Sequence, residues 1–290
     1  MMIHDLLLAP FSDFQFMQRA LAGCLALCLS APAIGVFLML RRMSLTGDAM
    51  SHAILPGAAI GYLVAGLSVE AMTLGGLVAG GLVVLLSGAV ARSTKSGEDS
   101  SLAAFYLISV ALGVLLISLR GSSVDLLHVL FGSALALNDS ALWLLGSISS
   151  LTLIALAVLL RPLVLECLDP DYLATVIRAG SWVHMAFLLL AVLNLIAGFH
   201  ALGTLMSVGI MILPSAALRY WTRRLGPMLV GSCLAAFVSA LSGLLFSYHL
   251  GWPTSPTIIL TLGVIYLLSL LAGPQGGLMW RYIRLRHLEA

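Results

Sequence analysis

Apolar stretches of about twenty residues, each long enough as a helix to cross roughly 30 Å of hydrocarbon, follow one another along almost the whole chain with only short polar breaks. They fall near residues 17–40, 50–69, 71–91, 102–119, 140–160, 183–199, 201–218, 227–248 and 256–273. The pair at 183–218 also reads as one bent hairpin, so the expected number of spans is eight or nine. Composition removes the soluble alternative. Only 9% of the residues are charged and mean hydropathy is +1.10, where a soluble domain carries about a quarter of its residues charged. Barrel strands would alternate in polarity over about ten residues, and no such alternation is present. The fold class is therefore all-α and polytopic, with residues 1–290 as a single membrane domain. The start carries Asp5 and Asp13 without a basic region, so no cleavable leader is expected. A net charge of +2 gives no footing for a nucleic-acid partner.

Arginine and lysine favour the cytoplasmic side of a membrane. With nine spans, Arg41 and Arg42, Arg92 and Lys95, Arg161 and Arg178, the group Arg219, Arg223 and Arg224, and the group Arg281, Arg284 and Arg286 all fall on one face. Only Arg19 and Arg120 fall opposite. This predicts an external N-terminus and a cytoplasmic C-terminus; eight spans would break the agreement. Segment 121–139 is amphiphilic, too short to span, and expected to lie in the interface or re-enter. Residues 161–182 form a long cytoplasmic connection, with Asp169 as N-cap and Pro170 opening a short helix that ends at Gly180. Such a helix serves either as a plain connector or as a dock for a soluble motor.

Ionisable groups at membrane depth are costly and mark paths or pairs. Asp48 and His52 are four residues apart, on one helical face about one turn from each other. A carboxylate and an imidazole so placed either share a divalent transition metal or form a hydrogen bond that locks two helices. Pro56 and Gly57, one turn on, are expected to loosen the helix. His200 sits at an outer turn where an entry vestibule would open, while His128 and His249 read as interfacial and Glu70 as a solvated loop residue. Cys24 and Cys28 lie one turn apart and read as small apolar packing residues rather than a metal pair; Cys167 and Cys233 are isolated.

The chain has one lysine, Lys95, and no phosphate-binding loop, no HExxH and no nucleophile elbow. It is not expected to be an enzyme, and any ATP that drives it is hydrolysed by another polypeptide. An ion-coupled secondary transporter is the alternative, but the internal repeats common in that class are not evident.

The segment RRMSLTGDAMSHAILPGAAI, residues 41–60, resembles the signature of the membrane subunits of bacterial zinc and manganese ABC importers. EDSSLAAFYLISVALGVLLIS, VDLLHVLFGSALAL, LGTLMSVGIMILPSAALRY and SYHLGWPTSPTIIL resemble further family segments in family order. Ser255 stands where that family usually has glycine, and the run at 205–209 also departs from it. The resemblance implies an architecture similar to cobalamin and siderophore importer permeases, in a bacterial inner membrane. It implies a homodimer, two copies of a cytoplasmic ATPase and an extracytoplasmic metal-binding protein. Asp48 and His52 fall on the positions expected to line the metal path, and Asp169, Asp171, Tyr172 and Arg178 fall where the ATPase docks. No permanently bound cofactor is implied; the expected cargo is a divalent transition metal, zinc ahead of manganese. A siderophore or vitamin permease would need a wider path with fewer carboxylates.

Overall fold

In lipid every backbone N–H and C=O must find its partner within the protein, so apolar segments of this length close into helices. The structure, a computed structural model, describes residues 9–66, 68–93, 98–119, 137–168 and 180–280. Those residues form ten helices: α1 (Ala9–Asp13), α2 (Gln15–Leu40), α3 (Thr46–Ala65), α4 (Val69–Ser93), α5 (Glu98–Leu119), α6 (Asp139–Leu168), α7 (Gly180–Leu202), α8 (Thr204–Leu218), α9 (Leu225–Leu250) and α10 (Thr254–Ala272). No strand occurs among the described residues. Helices α2 to α10 correspond one to one with the nine expected spans. Six of them are long and apolar enough to cross a membrane unaided. Helix α8, with 15 residues, is only about 22 Å long and falls short of the hydrocarbon thickness.

Helix α2 is the axis of the fold. It packs against α6, α7, α8 and α9, while α3 packs against α4 and α5, and α7 touches both groups. Over their most apolar stretches α2 and α7 are 72% and 67% buried, against 22% for α6 and 28% for α10, which places the latter two on the rim. The rim is apolar outward: Leu74, Val78 and Leu82 on α4, Val230, Leu234 and Val238 on α9, and Leu260, Val264 and Leu268 on α10 form exposed stripes at a spacing of four. Such stripes suit hydrocarbon and would be an aggregation hazard in water. All five tryptophans are exposed, Trp280 eight residues past the end of α10 and Trp143, Trp182, Trp221 and Trp252 within about a turn of helix ends. That is where the indole N–H meets the membrane–water boundary.

Five contacts fix the direction of the helices. Arg19 at the start of α2 pairs with Asp139 at the start of α6 at 2.9 Å, and Arg41 just after α2 pairs with Glu166 near the end of α6. These two helices therefore run parallel. The ring of Phe14 lies 5.7 Å from that of Tyr248, bringing the end of α9 to the Arg19 layer. Ser255 donates to the Leu202 carbonyl at 2.9 Å, which joins the α7–α8 turn to the start of α10 in that layer. The Ser255 hydroxyl thus satisfies the carbonyl of a buried residue. In the Arg41 layer, Gln275 N–H donates to the Tyr220 carbonyl at 2.8 Å.

Residues 183–218 are two helices folded back on one another. Only Gly203 separates them, at φ +92°, a value that side chains disfavour and glycine adopts freely. Ser207 consequently reaches back to donate to the Leu195 carbonyl at 3.3 Å. Two expected boundaries move. Helix α6 continues through Arg161 and Pro162 to Leu168, because Leu163 is fully buried and holds the last two turns in place. Glu70 lies in the first turn of α4, exposed, rather than in a loop; an acidic side chain is favoured at a helix N-terminus.

Candidate functional site

The turn between α2 and α3 positions the site. Arg42 N–H donates to the Met39 carbonyl at 3.0 Å and Met43 N–H to the Leu38 carbonyl at 2.9 Å, the paired bonds of a Schellman helix end. Arg42 occupies the left-handed position at φ +62°, the one non-glycine residue there among the described residues. A side chain costs about 1–2 kcal/mol in that conformation, so its charge is kept against local backbone preference. The chain then enters α3, whose first turn holds Asp48; the positive end of the helix dipole favours the carboxylate there.

His52 lies one turn further on, with Nε2 3.8 Å from Asp48 Oδ1 and side chains 37% and 61% exposed. That separation is too long for a hydrogen bond. Two donors each about 2.1 Å from one ion can stand at such a distance. The pair is therefore neither buried nor mutually bonded, as an interhelical lock would require. Asp48 opens on a cavity of about 300 Å³ whose walls include Arg42, Ser44, Thr46, Leu102 and Tyr106. The Tyr106 ring from α5 stacks on His52 at 6.4 Å between centroids and 28° between planes. Beneath them Ala49, Ala53, Val83 and Leu102 form a small separate apolar cluster. Pro56 has no N–H for the carbonyl of His52 four residues back. Helix α3 nonetheless continues through Pro56 and Gly57 to Ala65, so the expected loosening is not a break.

His200 lies in the last turn of α7, 16 residues and about 24 Å of helix from His184 in the Arg41 layer. The structure does not bring it to Asp48 and His52. Asp169, Asp171, Tyr172 and Arg178, with the short helix expected there, lie outside the described residues, as do Asp125 and His128. Cys24 and Cys28 are buried and free, and among the described residues no three His, Cys, Asp or Glu side chains converge into a metal cage.

Sequence reasoning missed two features. Tyr106 carries no charge and gives no sign in the sequence that it meets His52. The second is a buried charged cluster. Arg41, 7% exposed, pairs with Glu166, 10% exposed, and its Nη1 lies 2.6 Å from His184 Nδ1. Its guanidinium also stands 5.1 Å from the centre of the Phe187 ring, a cation–π distance. The same Nδ1 lies 3.2 Å from Glu166 Oε1, so the guanidinium, the carboxylate and the imidazole meet at one point. The signal available was a glutamate inside LVLECL and a histidine at the head of an apolar span.

A many-helix membrane domain in which Asp48, one turn from His52, opens on a cavity defines a polytopic membrane transport protein. Comparison makes that specific. The sequence pattern of the ABC 3 transport family matches residues 13–273, and the chain belongs to that family. Over 264 residues it is 33% identical to the manganese import system permease protein ScaB of Streptococcus parasanguinis, covering 91% of this chain and 92% of that one. It is 30% identical over 273 residues to the manganese transport system membrane protein MntC of Halalkalibacterium halodurans, covering 94% and 92%. Among solved structures, PsaBC from Streptococcus pneumoniae in complex with Fab superposes with a TM-score of 0.82 at 27% identity, over 99% of this chain and 100% of that one. The expected resemblance therefore holds at family level, and the chain is a multi-pass protein of a bacterial membrane.

Proposed function

We propose that the chain is the membrane permease of an ATP-driven importer of divalent transition metal, with manganese as its cargo ahead of zinc. Family membership supports the ABC reading over an ion-coupled secondary transporter. The sequence alone favours zinc; the relatives named for manganese reverse that order, and mixed nitrogen and oxygen donors serve either ion.

The observation that carries the proposal is the Asp48–His52 pair, one turn apart, 3.8 Å between donor atoms and exposed at 61% and 37%. Two donors leave a dication under-coordinated, which suits passage rather than storage. Their exposure in a single chain supports a homodimer in which a second copy presents the same pair across the path. His200, near the opposite layer, is placed in this reading at the entry end. The single permease domain, 1–290, uses residues 161–182 to engage a separate ATPase present in two copies, with Asp169, Asp171, Tyr172 and Arg178 at the contact. An extracytoplasmic binding protein delivers the ion. The test is ATP hydrolysis and metal uptake by the reconstituted complex, compared across manganese, zinc and iron. Stimulation and uptake by manganese support the proposal, whereas indifference to all three ions overturns it.

A further inference from the structure

Arg41 stands at a junction. It directly precedes the turn that leads to Asp48, yet its guanidinium binds Glu166 near the end of α6 and His184 near the start of α7. Glu166 and His184 are the last carboxylate and the first imidazole among the described residues on either side of segment 169–179. Both stems of that segment are thus tied to one side chain. We propose that Arg41 is a positioning residue that transmits displacement of the α6 and α7 stems to the α2–α3 turn, and so to Asp48 and His52. This rests on the reading above that residues 161–182 engage the ATPase.

Stability alone does not explain the cluster. A buried ion pair is commonly replaced by apolar residues of similar volume without loss, because desolvation offsets the attraction. Here the cost is higher still, since Glu166 Oε2 is buried with no hydrogen-bond partner among the described residues. What a charged pair supplies and an apolar pair does not is a fixed direction: the Arg41 fork reaches a carboxylate and an imidazole at once while stacked on Phe187. The α2–α3 turn it enters is also rigid, held by the paired Schellman bonds from Arg42 and Met43. A shift of the stems therefore turns the N-terminus of α3 rather than being absorbed in a slack loop.

The discriminating variant is the apolar double replacement Arg41→Met/Glu166→Leu, with Glu166→Gln as a second variant should the double fail to fold. Both are made in the full complex with its ATPase. The readouts are thermal stability, metal ions moved per ATP hydrolysed, and the nucleotide-driven change in distance between spin labels at Leu45 and Leu168, two exposed positions at 82% and 78%. A stable variant is expected to bind its ATPase and hydrolyse ATP while ions per ATP fall by about tenfold, a typical size of coupling between sites, and the label distance no longer responds. A stable variant with the wild-type ratio and wild-type distance change overturns the proposal and leaves the cluster a packing device. If the wild-type complex moves no metal, the cargo reading fails alone. The label distance then decides the joint: loss of the response in the variant supports it, and persistence, or no response in the wild type, overturns it.

Discussion

Gly57 of α3 and Gly75 of α4 lie backbone against backbone, so that a Cβ added to either would overlap the carbonyl of the other. Gly61 repeats the contact one turn on, against the carbonyl of Ala71. Small residues at a spacing of four let two helices approach this closely in lipid, and here they hold the helix that carries Asp48 and His52. Gly57→Ala is expected to cost about 1–3 kcal/mol, because rigid backbone rather than a side-chain tip must move. Gly146→Ala is the control. Nothing lies within 4 Å of the added carbon, so stability should hold or rise by up to about 1 kcal/mol. Thermal unfolding of the two variants in detergent checks the contrast; equal effects would refute the packing argument.

The two ion pairs that make α2 and α6 parallel should behave oppositely. Arg19 and Asp139 are 40% and 70% exposed, and exposed pairs contribute about 0–1 kcal/mol. Asp139→Asn should therefore change stability little. Glu166→Ala strands the buried Arg41 charge and should cost about 3–5 kcal/mol. Denaturation midpoints of the two variants measure this. A larger loss for Asp139→Asn would show that burial does not set the scale here.

What the sequence made legible follows from the range of each interaction. Spans were readable because lipid imposes length and hydropathy locally, and nine expected stretches became nine helices among the described residues, six of them long and apolar enough to cross a membrane. The Asp48–His52 pair was readable because helical spacing alone brings the two together. Errors arose where packing overrode local signals. Arg161 and Pro162 read as a stop, yet the buried Leu163 carries α6 on to Leu168. Arg41 and His184 are 143 positions apart, and no periodicity relates them. The same holds for the buried Asn194, which donates to Ser30 at 2.8 Å and so links α7 to α2.

Orientation is a separate prediction. The Arg41 layer also contains Tyr220 and Gln275, and with them Arg219, Arg223 and Arg224. The Arg19 layer has far fewer basic residues. By the charge asymmetry of membrane proteins the Arg41 layer faces the cytoplasm. A reporter fused after Ala290 and another inserted between α4 and α5 should both report cytoplasm. An external signal from either refutes the nine-span topology.

The last prediction concerns the cavity wall. Asp48 supplies charge and lines the cavity, His52 supplies a nitrogen donor, and both side chains are well exposed, so that removing either orphans no buried polar partner. Asp48→Ala and His52→Ala should each abolish metal uptake while membrane insertion, stability and binding of the ATPase persist. Tyr106 acts differently, because its ring lies 6.4 Å from the imidazole and stacks on it without donating to it. Its contribution is to hold the His52 ring in one orientation, and groups that orient a ligand are worth about 10–100-fold in metal affinity. Tyr106→Phe keeps the stacked ring and should leave uptake near wild type. Tyr106→Leu removes it and should raise the metal concentration for half-maximal uptake by about tenfold with little change in maximal rate. Radioactive manganese uptake in vesicles separates the two parameters. Wild-type uptake in both the Asp48 and His52 variants would make the pair structural, and equal behaviour of the Phe and Leu variants would remove Tyr106 from the site.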